Sequence, residues 1–297
     1  MTRVAYYKGC LASLSARELD ASTRVLAPRL GLELVELKSV TCSGSGDIQT
    51  ADPDLALHLI ARILSEAEQA GTDTIVTICN VCTLNLRQAN WQLRNDEQLR
   101  ARVNKNLERA GIAPYGATVE VAHLLWLIAK GERYERLKEI ATQKLSGLRV
   151  APFYGCQLLR PSNVMGFEDP DHPRSLEAVI EACGGEAIDY AAKARCCGFP
   201  IILARERTAL AELVNPLEEA LAAGAEAIVT SCPLCHLALD AWQQKLERQL
   251  GRTLGLPIFH LSQLIGLAAG FDPSELQLGR HVVSVRPLLT KLGRAAG

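Results

Sequence analysis

Asp73-Thr-Ile-Val-Thr-Ile-Cys79-Asn-Val-Cys82-Thr-Leu84 returns in the second half of the chain as Glu226-Ala-Ile-Val-Thr-Ser-Cys232-Pro-Leu-Cys235-His-Leu237. In both copies a short Ile/Val run, of the kind that reads as a buried strand, stops at a Cys-x-x-Cys, and an amphipathic helix follows. A helical pattern also precedes each copy. In the block 51–70, Asp52-Pro53 supplies an N-cap and a first-turn proline, and Ala56, Leu59, Ile60, Ile63 and Ala67 recur at helical spacing. In 205–223, Leu210, Leu213, Val214, Leu217 and Leu221 share one face, and Gly224 ends the run. Strand, helix and strand in alternation predict parallel pairing with helices on the sheet faces. Ligands of such open sheets lie beyond the carboxyl ends of the strands, which is where these cysteines fall.

Working outward, more of the chain proves to be duplicated. Val4-Ala-Tyr-Tyr-Lys-Gly-Cys10 matches Val150-Ala-Pro-Phe-Tyr-Gly-Cys156, and Val121-Ala-His123-Leu-Leu-Trp-Leu-Ile128 matches Ile258-Phe-His260-Leu-Ser-Gln-Leu-Ile265. The matches keep their order, so the chain reads as two related halves, 1–146 and 147–297. The expected fold class is α/β: two pseudo-symmetric halves, each a mostly parallel sheet flanked by helices, with sites at the strand ends facing the interface.

Composition narrows the function. The 297 residues are 48% hydrophobic and 22% charged with a net charge of −1, as in an ordinary globular protein. Near-neutral charge and 5% aromatics argue against nucleic acid as a partner. The start, MTRVAYYKGC, lacks a signal-type apolar segment, and no run of eighteen apolar residues occurs, so a cytoplasmic location without membrane insertion is expected. Ten cysteines in that setting point to metal or redox chemistry before a disulfide framework.

Their spacing carries the chemistry. The second half has Cys156, Cys196-Cys197-Gly198 and Cys232-Pro-Leu-Cys235; the first has Cys10, Cys42-Ser43-Gly44 and Cys79-Asn-Val-Cys82. Thiolates are soft ligands that select iron–sulfur clusters, zinc or copper. Adjacent cysteines plus a fifth suit a cluster better than a structural zinc, which usually takes two short hooks. Each Cys-x-x-Cys opens a helix, whose free amides and dipole favour an anionic group. Gly44 and Gly198 are expected to let the backbone approach sulfur where a side chain would collide.

Two long-range patterns of this form, together with Phe153-Tyr-Gly-Cys156, Ala182-Cys-Gly-Gly-Glu-Ala-Ile-Asp-Tyr190 and Pro257-Ile-Phe-His260, resemble the B subunit of heterodisulfide reductase over nearly the whole chain. Related domains occur in subunits of glycolate, lactate and some succinate-oxidising systems. The resemblance implies a non-cubane [4Fe–4S] cluster on Cys156, Cys196, Cys197, Cys232 and Cys235, and a second cluster on Cys10, Cys42, Cys79 and Cys82. In the family the two clusters face one another and clamp a disulfide. The pattern is broken at Ser43, a harder and far less acidic group than the cysteine expected there. The N-terminal cluster is therefore expected to be a four-cysteine cubane, a non-cubane cluster with oxygen or nothing at one iron, or a weakened site, an altered cluster being favoured over an absent one, which argues against symmetric clamping. That asymmetry resembles the heterodisulfide-reductase-like complexes of sulfur oxidation. It implies thiol/disulfide or sulfane-sulfur chemistry run oxidatively, with a ferredoxin-like C subunit, a flavin-bearing A subunit and a sulfur-carrier protein as partners. The alternative is an electron-transfer module of a flavin dehydrogenase or quinone-linked complex. The chain has neither a ferredoxin-type Cys-x₂-Cys-x₂-Cys-x₃-Cys-Pro run nor a Gly-x-Gly-x-x-Gly fingerprint, so electrons must pass through other subunits.

Several residues stand outside this scheme. Cys183 reads as a buried structural thiol. His123 and His260, at equivalent repeat positions, read as helix caps or core hydrogen-bonders, with substrate contact the alternative. His236 follows a cysteine of the motif and is a candidate for tuning the cluster by hydrogen bonding. Lys8, Arg160 and Lys193 lie near the cysteine loops and are candidates for meeting an anionic substrate, although most such residues are simply solvated. The segment 280–287 is expected to fold back on the N-terminal half.

Overall fold

In the computed structural model, residues 1–37 and 40–294 are described. Two four-stranded sheets organise the chain. Strands β1 (Thr2–Tyr7), β2 (Leu32–Glu36), β3 (Thr74–Thr77) and β4 (Glu120–His123) run parallel in the order β2-β1-β3-β4. Strands β5 (Arg149–Phe153), β6 (Glu186–Ala187), β7 (Ala227–Thr230) and β8 (Ile258–His260) repeat the order as β6-β5-β7-β8, again parallel. Residues of β3 and β7 are buried on both faces, as parallel strands covered by helices must be.

The helices begin and end where the local chemistry places them. Pro53–Gln69 starts with Asp52 accepting from the Leu55 amide at 2.9 Å. Glu206–Ala222 ends at Ala223, with Gly224 beyond it at φ +82°. The helices Asn80–Asn95 and Pro233–Ala241 open directly at Cys79 and Cys232 as N-caps. In each sheet the first strand runs out to one neighbour through a helix, and the chain returns to pair on its other side. The crevice between β1 and β3, and that between β5 and β7, is therefore the topological switch point where loops part and a ligand can sit.

The two sheets share their cores. Val4 and Tyr6 of β1, Val76 of β3, Val150 of β5 and Val229 of β7 belong to one continuous apolar cluster. The alternate residues Ala5, Tyr7, Ile75, Ala151, Phe153 and Ile228 belong to the other. The period-2 alternation along each strand thus feeds two interiors, each drawing on both halves. The helix Leu261–Ala268 after β8 packs on Arg17–Leu26 of the first half, with Ser22 Oγ and Ser262 Oγ 2.7 Å apart. Reciprocally, the helix Leu124–Ile128 after β4 packs on Ser175–Ala182 of the second half. The C-terminal segment, expected on the N-terminal half, meets it through Arg280 and otherwise lies on the second half. Arg280 reaches Glu18 of the first half at 3.1 Å, and the Val282 and Val283 amides donate to the Asp240 carboxylate.

Candidate functional site

Each half carries its cysteines to the carboxyl ends of its strands. Cys10 follows β1, Cys42 follows β2 and Cys79 caps the helix after β3; Cys156, Cys196 and Cys232 hold the same places in the second half. The two Cys-x-x-Cys helices meet nose to nose, so that Cys79 Sγ and Cys232 Sγ stand 3.9 Å apart. From there the sulfurs form a belt. Cys232 contacts Cys235, Cys235 contacts Cys197, Cys197 contacts Cys196, and Cys196 contacts Cys156. On the other side Cys79 contacts Cys82, and Cys10 pairs with Cys42. The structure thus brings together the five cysteines of the second half and the four of the first, in two groups that abut.

Within each group the cysteines divide into thiols held up, Cys10, Cys79, Cys156, Cys197 and Cys235, by the hydrogen bonds they donate and by burial, and neighbours held down as thiolates. Hydrogen bonds from the Cys156 and Cys197 thiols hold Cys196 far down, to about 2. Cys42 is held down to about 5, first by the Cys10 thiol and then by the Gly44 and Ser45 amides, against the opposing effect of burial. Cys232 is also lowered; burial opposes this, but the Cys235 and Cys79 thiols and the Cys235 and Asn80 amides all donate to its sulfur. These amides are the unsatisfied first-turn donors of the helices that open at Cys79 and Cys232. Among the described residues, no three His, Cys, Asp or Glu side chains converge on one point as a single-ion site requires. The belt of soft sulfur donors drawn from both halves is the donor type that an iron–sulfur group takes.

Two glycines that the motif reading passes over make room for that group. Gly9 and Gly155, immediately before Cys10 and Cys156, lie at φ +78° and +67°. A Cβ at Gly9 would stand 3.1 Å from Cys82 Sγ, and one at Gly155 would stand 3.0 Å from Cys235 Sγ. Gly44 and Gly198 do something else. Their φ values are +77° and +75°, but a Cβ there would strike Ala56 at 3.3 Å and the Ala209 carbonyl at 2.4 Å, so helix packing, not sulfur, excludes a side chain. What they offer sulfur is an amide: Gly198 N–H donates to Cys196 Sγ at 3.3 Å. The Lys/Tyr-Gly-Cys repeat displays Gly9 and Gly155, and their recurrence in both halves is the signal that could have found them.

Ser43 occupies the place that Cys197 holds in the second half. It is fully buried, with its Oγ directed at Cys82 Sγ at 3.6 Å. Asn80, in the first Cys-x-x-Cys, reaches across to the second half: its Nδ2 donates to the Tyr154 carbonyl at 2.6 Å, and its Oδ1 accepts from Ser231 Oγ at 3.1 Å. Pro233 stands at the equivalent position and lines the N-terminal group, much as Asn80 lines the C-terminal one.

The remaining candidates take structural places. His123 and His260 cap the helices after β4 and β8, accepting from the Leu125 and Ser262 amides. With Nδ1 so used, His123 carries its proton on Nε2, which donates across the halves to the Ser231 carbonyl at 3.1 Å. His236 turns away from the sulfurs. Among the described residues its Nε2 has no hydrogen-bond partner, and its ring stands edge-on to His281 with centroids 5.0 Å apart. Lys8 is engaged by Glu36 and Asp20, Arg160 by Asp171, and Lys193 by Glu177 and Asp189, so none is a free cation at the site. Cys183 is fully buried outside both groups, and desolvation pushes its thiol up to about 12. Access differs between the groups. A slot of about 120 Å³, walled by Leu11, Val81, Phe199 and Leu234, opens beside Cys10, Cys79 and Cys82, whereas the space at the C-terminal group is about 20 Å³.

Comparison with known proteins supplies the context. The cysteine-rich domain family model matches twice, over residues 4–87 and 150–240. The 8-methylmenaquinol:fumarate reductase membrane anchor subunit of Wolinella succinogenes is 35% identical, covering 97% of this chain and 98% of its own length. The B subunit of the ferredoxin/F420H2-dependent CoB–CoM heterodisulfide reductase of Methanosarcina acetivorans is 32% identical, covering 98% and 97%. A protein of Archaeoglobus profundus that is named as like the heterodisulfide reductase B subunit is 31% identical over 93% of each chain. Among solved structures, a hypothetical protein from Helicobacter pylori superposes on 96% of this chain with a TM-score of 0.75 at 16% identity; this chain spans about half of its length (52%), and the likeness extends to the fold alone. No helix among the described residues is long and apolar enough to cross a membrane.

Proposed function

The chain belongs to the cysteine-rich-domain family that includes the B subunits of heterodisulfide reductases, and from that premise we propose that it is the redox-active iron–sulfur subunit of a multisubunit oxidoreductase acting on thiols, disulfides or sulfane sulfur. The observation that carries this reading is the pair of abutting thiol groups with Cys79 and Cys232 at their junction. Cys156, Cys196, Cys197, Cys232 and Cys235 would hold a non-cubane [4Fe–4S] cluster, and Cys10, Cys42, Cys79 and Cys82 an altered or cubane one. When bound, such clusters accept and release electrons singly and offer iron to sulfur. The protein's own contribution is to aim the Gly198, Asn80 and Cys235 amides at the sulfurs, where they favour thiolate at Cys196 and Cys232, and to wall the site with apolar side chains that exclude water. The ferredoxin-like and flavin-bearing subunits, with a sulfur carrier, are the partners this role calls for. Oxidative flux is the direction we favour, since Ser43 removes the symmetry that disulfide clamping uses.

One observation favours a second reading. The relative at 35% identity is named for a quinol:fumarate reductase, and the apolar slot beside the N-terminal cysteines would suit a quinone-linked electron module. Anaerobic iron and sulfide analysis with EPR, on the protein and its Cys197→Ala variant, tests the first reading. About eight irons per chain are expected, with one signal lost or converted in the variant and with a signal that changes on adding thiols or carrier-bound sulfur. Zinc in place of iron would sink it. A signal that ignores sulfur compounds but responds to a menaquinone analogue would hand the assignment to the second.

A further inference from the structure

Ser43 is the point at which the two halves part company, and its surroundings say what it does. Its Oγ lies 3.6 Å from Cys82 Sγ, reproducing the contact that Cys197 makes with Cys235 in the other half. One residue separates it further from that counterpart. Asn85 places its Nδ2 3.3 Å from the Ser43 carbonyl and 3.5 Å from Ser43 Oγ, and all three groups are buried. The orientation of the amide follows from the carbonyl. Turned the other way, Asn85 Oδ1 would face Ser43 O, acceptor against acceptor, so the amino group must point at the serine. An amino group only donates. Ser43 Oγ therefore accepts from Asn85, and its single proton is left for the sulfur of Cys82. In the second half Ala238 stands at the helix position equivalent to Asn85, so the donor occurs only in the half that has the serine.

We infer that Ser43 serves the N-terminal group as a hydrogen-bond donor to the Cys82 thiolate, fixed in that role by Asn85, and is not a ligand to iron. The inference rests on the reading that a cluster occupies this group. A lone pair already engaged by Asn85 and a proton directed at sulfur leave the hydroxyl poorly placed to bind metal. The bond draws charge from the thiolate, and withdrawing charge from a ligand raises the reduction potential of the cluster it holds. Asn85 is a positioning residue: its amide bonds the serine and acts through the hydroxyl.

The test uses the full chain isolated anaerobically, with iron content and EPR-monitored redox titration as readouts, on wild type, Ser43→Ala, Asn85→Ala, Ser43→Cys and Cys79→Ala. Ser43→Ala is expected to keep the wild-type iron content and signal type while the midpoint of the N-terminal centre moves to lower potential. Asn85→Ala should move it in the same direction by less, and Ser43→Cys should change the signal type by adding a fifth thiolate. Loss of iron or a changed signal type in Ser43→Ala would make the serine a ligand, and an unmoved midpoint would remove its bond to sulfur; either overturns the inference. If wild type carries iron in the C-terminal group alone, Cys79→Ala will leave the iron content unchanged, and it is the underlying reading that fails, taking the inference with it.

Discussion

His123 and His260 are fully buried and neutral. Desolvation pulls them from 6.5 down to about 3 and about 4, while the neighbouring Cys232 and the Ser231 carbonyl pull weakly the other way. Folding therefore favours the uncharged ring. The stabilisation is present above the unfolded value near 6.5 and is lost as pH falls from there toward 4 and below. For His260 the depression to about 4 corresponds to on the order of 3 kcal/mol at about 1.4 kcal/mol per pH unit. Urea midpoints should fall steadily between pH 6.5 and about 4, and a His260→Gln variant should flatten that slope at some cost in stability at neutral pH. A variant as pH-sensitive as the wild type would show that His260 does not govern the acid limb. Asn80 is the other single residue with wide reach. In Asn80→Ala, Ser231 Oγ and the Tyr154 carbonyl lose their partner in a buried place, an expected loss of about 1–3 kcal/mol in unfolding free energy.

The elements that matter most are the turn before each first cysteine and the first turn of each Cys-x-x-Cys helix. Alanine at Gly155 would need a left-handed backbone and would press on the Cys235 sulfur, so Gly155→Ala should empty the C-terminal group while sparing the other. Iron analysis should show roughly half the wild-type content; full content would mean the turn has room to spare. Much of this is legible in the sequence. The strands, the Asp52-Pro53 cap, the Gly224 stop and the convergence of strand ends on the cysteines all follow from period, capping chemistry and repetition. What stays hidden is what depends on neighbours distant in sequence. From its motif Gly198 reads as yielding to sulfur, yet what it avoids is the carbonyl of Ala209 in the following helix. Asn85 has no meaning until the helix that bears it is laid against Ser43. Lys8 and Lys193 resemble substrate contacts in the sequence because their carboxylate partners, Glu36 and Glu177, come from elements the motif does not include.

At the scale of the molecule, alternation tells which residues are buried but not that both interiors run through both sheets. Expressed alone, residues 1–146 and 147–297 should each be insoluble or molten, and co-expression should recover a soluble complex detectable by size exclusion. A stable lone half would contradict the shared core. The sharing is reciprocal in the helix packing and in the way each Cys-x-x-Cys lines the other group. That reciprocity is the arrangement that a twofold dimer of one half would have, each face of a contact being supplied by the other copy. In such a dimer the position held here by Cys79 and Cys232 would meet its own copy across the dyad. Written twice in one chain, each position is free to differ from its twin, as asparagine at 80 does from proline at 233 and serine at 43 from cysteine at 197.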